Sequence, residues 1–157
     1  METQKRSIIS RLRINKAETI LLLLWLSVNL CILAVRGIYL QGESAKYIHQ
    51  AHILLETGGV ETPNLWLYFV EIALIACCIK IHLGFYSVII LQLLVNLAAM
   101  LTFYRTAAWL FQNKTAAMAG TLLLVLNYPY QEFNSFLYTE PLFYSFTLLL
   151  GCYLIRI

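Results

Sequence analysis

Thr19–Leu40 reads TILLLLWLSVNLCILAVRGIYL, and how this stretch is read decides the fold. Its only charge is Arg36, close to its end, and no glycine or proline breaks it before Gly37. An α-helix rises about 1.5 Å per residue, so a run of this length covers the roughly 30 Å hydrocarbon core of a bilayer. Within lipid every backbone N–H and C=O must be satisfied internally, which leaves helices or a closed barrel. Barrel strands alternate apolar with polar residues. This run does not alternate, so it is a helix. The rest of the chain agrees: of 157 residues 61% are hydrophobic and 12% charged, with a mean hydropathy of +0.73. A soluble domain is nearer half apolar and a quarter charged. The expected fold is an all-α, polytopic transmembrane helical bundle.

Upstream of this run lie Lys5, Arg6, Arg11, Arg13 and Lys16, which concentrate the formal net charge of +3 at the start of the chain. Residues 1–19 are read as a basic cytoplasmic tail, since lysine and arginine hold their end of a span in the cytoplasm. The protein is expected to be multi-pass in a plasma or inner membrane, with the lipid bilayer as its first partner. The apolar run is too long for a signal peptide and lacks the small-residue cleavage site of one. No nucleic-acid motif occurs, so no nucleic-acid partner is expected.

Downstream, QGESAKYIHQAHILLETGGVETPN (41–64) holds Glu43, Lys46, His49, His52, Glu56 and Glu61. Ile48, Ala51, Leu54 and Leu55 fall at helical spacing, and Gly58 with Gly59 stops the pattern, so residues 44–57 read as an amphipathic helix on the membrane face. Three further apolar runs follow: Leu65–Ile81, Phe85–Phe111 and Ala116–Tyr128. If all three cross, Arg105, Lys114 and Arg156 fall outside; if Leu65–Ile81 lies at the interface, they fall inside with the tail. Glu71, Lys80 and His82 also suit an interfacial segment. About four spans are therefore expected: the first run, Phe85–Arg105 with a short inner extension, Ala116–Tyr128 ended by Pro129, and Glu140–Ile157. An outer segment, 41–83, carries juxtamembrane helices. Thr139 is the expected cap of the last span, with Pro141 in its first turn.

On this topology Glu43 and Glu140 share the outer face. Glu140 has a plain reading, a carboxylate stabilised by the free N–H groups of a helix start, and a functional one, as an ionisable group at the membrane. His49, His52 and Glu56 follow one helix face with i, i+3 and i, i+4 spacing, which offers metal ligands or simply a wet face. Arg36 is read as a snorkelling interfacial cation or as a charge stabiliser. Tyr138 belongs to an aromatic run from Tyr128 to Tyr144 that suits an interfacial belt or sugar stacking. Cys31, Cys77, Cys78 and Cys152 have no metal-type spacing and read as small packing residues.

The order of a span, an outer acidic residue, AKYIHQAHILLETGG (45–59), an inner loop LFQNKTAAMAG (110–120) and NSFLYTEPLF (134–143) resembles the N-terminal half of the GT-C membrane glycosyltransferases. The similar members are the protein O-mannosyltransferases, the lipid A aminoarabinose transferases and the Rgt-type enzymes. The resemblance covers residues 20–157. It implies a GT-C module in which a sugar passes from a polyprenyl-phosphate donor to an acceptor on the outer face. Glu43 would be the catalytic base, although that position is usually aspartate and this chain has none. Glu140 would line the same cavity. Read from the residues themselves, Arg36 and Tyr138 are the candidates on the substrate side, and a divalent metal ion is the candidate cofactor. Members of the family are longer, so the resemblance implies that the C-terminal half is absent here or supplied by a second chain. By itself the 157-residue chain is then expected to be inactive. The alternative is a non-catalytic membrane protein, a degenerate fragment or a small partner subunit. A transporter piece fits less well, because the polar groups cluster at the rim and not at the midplane.

Overall fold

In the computed structural model, residues 15–157 are described, and all their regular elements are helical. The basic tail up to Arg13 lies outside the described residues. The first helix, α1 (Lys16–Arg36), starts inside the stretch read as tail. The reason is a capping box: Asn15 Oδ1 accepts from the Glu18 backbone N–H, and Glu18 Oε2 accepts from that of Asn15. After α1 come α2 (Glu43–Thr57), a 3₁₀ turn (Pro63–Tyr68) that leads directly into α3 (Phe69–Lys80), and the long α4 (Phe85–Phe111). Then follow α5 (Lys114–Val125), a short α6 (Tyr128–Glu132) running into a 3₁₀ turn (Phe133–Ser135), and α7 (Glu140–Arg156).

Three segments are long and apolar enough to cross a membrane: Lys16–Arg36, Pro63–Lys80 and Phe85–Phe111. Of the other two expected spans, one falls on the 12-residue α5 and the other on the 17-residue α7. Pro129 does not end α5. That helix stops at Val125, and Asn127 then caps α6 by accepting from the Tyr130 N–H, with Pro129 in the first turn of the new helix. The molecule is a membrane protein by the character of its faces. Ile20, Leu123 and Leu154 are 55%, 75% and 61% exposed, while Asn29, Gln92, Asn96 and Gln131 are at most 3% exposed. Apolar residues outside and hydrogen-bonded amides inside suit a bundle whose surroundings are lipid.

Side-chain bonds fix how the helices run. Glu18 accepts from Arg105 Nε at 2.6 Å, Trp25 Nε1 donates to Asn96 Oδ1 at 2.8 Å, and Asn29 Nδ2 donates to Gln131 Oε1 at 3.0 Å. The Tyr39 N–H donates to the Ser135 carbonyl. So α1 and α4 are antiparallel. The bundle has a Lys16 end, which also holds Arg105, and a Tyr138 end, where α1 finishes. Gln92 donates to the Tyr138 carbonyl and Asn96 to Ser145, so α7 runs in the direction of α4. The segment from Glu43 to Lys80 leaves from and returns to the Tyr138 end: Gly42 touches Tyr138, Glu71 bonds Gln92, and Lys80 precedes the turn into Phe85.

Two apolar cores result. One joins Tyr47, Ala51, Leu65, Ile72, Ile75 and Val88 at the Tyr138 end. The other joins Leu21, Trp25, Met100, Tyr104, Ala117 and Val125 between α1, α4 and α5. The buried face of α2 is less apolar than its pattern implies: Ser44, Tyr47, Gln50 and Ala51 are buried, while Leu55 is exposed.

Candidate functional site

α7 begins at Glu140 with Pro141 in its first turn, where a missing N–H costs nothing. Thr139 does not cap it. Thr139 is itself helical in φ and ψ, makes no cap hydrogen bond, and donates its hydroxyl to Glu140 Oε2 at 3.4 Å. Glu140 therefore sits in the first turn of α7, where the backbone N–H groups have no helical partner. It lines a cleft of about 610 Å3 between α3 and α7, together with Leu67, Tyr68, Val70, Glu71 and Thr139. The cleft adjoins an apolar groove of similar size between α3, α4 and α7, with Val70, Leu142 and Phe146 common to both.

Glu43 opens α2 at the same end of the bundle. It is exposed and forms an ion pair with Lys46 at 3.2 Å. Lys46 lies in turn over the Tyr68 ring, 5.3 Å from its centroid. Tyr47, one turn after Glu43 on α2, is only 3% exposed. Burial pushes its phenol above the ordinary tyrosine range, and the charges of Glu43 and Glu140 add to this, while a hydrogen bond with Thr139 opposes it. Glu140 lines the cleft, whereas Glu43 is exposed at the start of α2 and is not among the lining residues.

The other expected site residues are placed differently. Arg36, at the end of α1, is paired with Glu132 and stacked over Tyr128, away from the cleft lining. The Tyr138 ring packs in an aromatic group with Tyr39, Phe133 and Phe136, and its hydroxyl sits against Gly42. Tyr138 is not part of the cleft lining. His49, His52 and Glu56 are all exposed on α2. Among the described residues no three His, Cys, Asp or Glu side chains converge as metal ligands.

Two residues in the site region were not singled out by the sequence as site residues. Glu71 is 0% exposed and accepts from Gln92 Nε2 at 3.0 Å; Gln92 is equally buried. Deeper in, Asn29, Gln131 and Asn134 form one hydrogen-bonded group, and Trp25, Asn96 and Ser145 form another. Each was visible as a polar residue within or beside an apolar run, which is the signal that marks such positions. Comparison with protein-family profiles, with curated proteins and with solved structures finds no match to this chain.

Proposed function

We propose that this chain is a GT-C-type membrane glycosyltransferase module, transferring a sugar from a polyprenyl-phosphate donor to an acceptor on the outer face of the membrane. The observation that supports this reading is that Glu140 lines a cleft that continues into an apolar groove, at the end of the bundle where Glu43 opens α2. Four crossings are proposed, α1, α4, α5 and α7, with α2 and α3 as outer juxtamembrane helices and the N-terminus in the cytoplasm. The pairing of Glu18 with Arg105 supports this, because α4 then ends where α1 begins. The resulting sidedness keeps Lys16, Arg105, Lys114 and Arg156 with the tail.

In this reading a carboxylate takes the proton of the acceptor hydroxyl as it attacks the anomeric carbon, and polyprenyl phosphate departs. The groove suits an isoprenoid chain by its apolar lining, and the cleft suits the sugar by its carboxyl and hydroxyl groups. A cation that stabilises the departing phosphate would come from a divalent metal or from a second chain. The test is transfer of labelled sugar from the lipid donor in membranes holding the complete assembly. Glu43→Gln and Glu140→Gln keep the size and hydrogen bonding of the side chain but remove the base. Both are expected to abolish transfer while the protein stays folded; full activity of Glu43→Gln removes the general-base role.

A second reading, a non-catalytic partner subunit, is favoured by the neutralised charges at the rim. Glu43 is held by Lys46 and Arg36 by Glu132. It predicts that both variants leave transfer untouched while deletion of the chain does not.

A further inference from the structure

Glu71 and Gln92 each leave one oxygen without a partner in the interior. Gln92 Nε2 donates to Glu71 Oε1 at 3.0 Å and to the Tyr138 carbonyl at 3.2 Å. A backbone carbonyl only accepts, so the nitrogen of the amide must face Tyr138, and the orientation of Gln92 is fixed. Gln92 Oε1 is then left needing a donor. It and Glu71 Oε2 are both buried and unbonded. An ionised carboxylate has no hydrogen to give. Among the described residues, no lysine, arginine or histidine is paired with Glu71. Glu140, at the start of α7, lines the same cleft as Glu71. A buried carboxylate with no cation is an arrangement proteins avoid by taking up a proton.

We propose that Glu71 is a proton-holding site: a neutral carboxylic acid at neutral pH, whose Oε2–H donates to Gln92 Oε1. One proton satisfies both orphaned oxygens and closes an acid–amide pair in which each partner donates once. The pair ties α3 to α4 and, through the Tyr138 carbonyl, to the start of α7. This assignment stands apart from sugar transfer and survives the failure of that reading.

Infrared spectroscopy of the full chain in maltoside detergent, which has no ester carbonyl, tests it. The chain has no aspartate, so side-chain carboxyl signals come from glutamate alone. The expected result at neutral pH is a protonated-carboxyl C=O band that shifts in D2O, persists in Glu140→Gln and is lost in Glu71→Gln. If Glu71→Gln does not fold, Gln92→Leu serves: removing the acceptor should move the band to higher frequency. Absence of any protonated-carboxyl band in the unmodified chain, or a band indifferent to both substitutions, overturns the proposal.

Discussion

The two ends of the bundle treat charge in opposite ways. At the Lys16 end, Glu18 is 2% exposed, yet its carboxylate is fully used: Oε1 accepts from Arg105 and Oε2 from the Asn15 N–H. At the Tyr138 end, Glu71 is just as buried, but among the described residues no cation pairs with it, and its partner is the neutral amide of Gln92. Satisfied buried charge holds helices in register. A buried carboxyl with no cation is tolerated as the neutral acid, the state proposed above for Glu71. The difference is that a buried carboxyl is paired with a cation at one end and meets only a neutral amide at the other.

The sharpest way to break the contrast is at Glu140. Glu140→Gln should lower sugar transfer on the order of 10²–10⁴-fold, the usual weight of a general base or its partner carboxyl, with unchanged unfolding in detergent. The Lys16 end should respond the other way. Glu18→Ala strands Arg105 and opens the capping box, and should cost about 2–3 kcal/mol of stability by denaturant titration. That lies below the value for a fully buried pair because the Arg105 side chain is 36% exposed. The charge swap Glu18→Arg with Arg105→Glu should recover part of it. Next comes Gly42, where φ is +62° and an added Cβ would lie 3.2 Å from Tyr138 Oη. Gly42→Ala should cost about 1–2 kcal/mol, mostly from backbone strain, so adding Tyr138→Phe relieves only a fraction. The smallest effect is at Asn113, whose Oδ1 accepts from the Thr115 and Ala116 N–H groups at the start of α5. Asn113→Ala should cost about 1 kcal/mol.

Local features were legible in the sequence. The glycines after Thr57, the proline at position 141 and the apolar runs set the ends and lengths of α2, α4 and α7 to within a residue or two, because caps and hydrophobic length act locally. Cys77 is exposed and Cys78 buried, as adjacent helical positions require. Nonlocal pairings were not legible. Glu18 finds Arg105 across 87 residues and Asn29 finds Asn134 across 105, and nothing in either segment names its partner. Glu71 looked like a mark of an interfacial segment, and its role as the partner of Gln92 depends on where α3 packs. Tyr138 and Arg36 also take contacts that only the packing shows. Their side-chain chemistry suggested a substrate, but packing against Gly42 and pairing with Glu132 use them within the fold.

The central claim is that the carboxylate end faces outward and the Glu18–Arg105 end faces the cytoplasm. With Cys31, Cys77, Cys78 and Cys152 replaced, single cysteines at His49→Cys on α2 and Lys114→Cys at the start of α5 can be exposed to a membrane-impermeant maleimide on intact cells. Both positions are exposed in the structure. The expected result is labelling of His49→Cys in intact cells and of Lys114→Cys only after permeabilisation. Labelling of Lys114→Cys from outside, or of both positions from the same side, contradicts it.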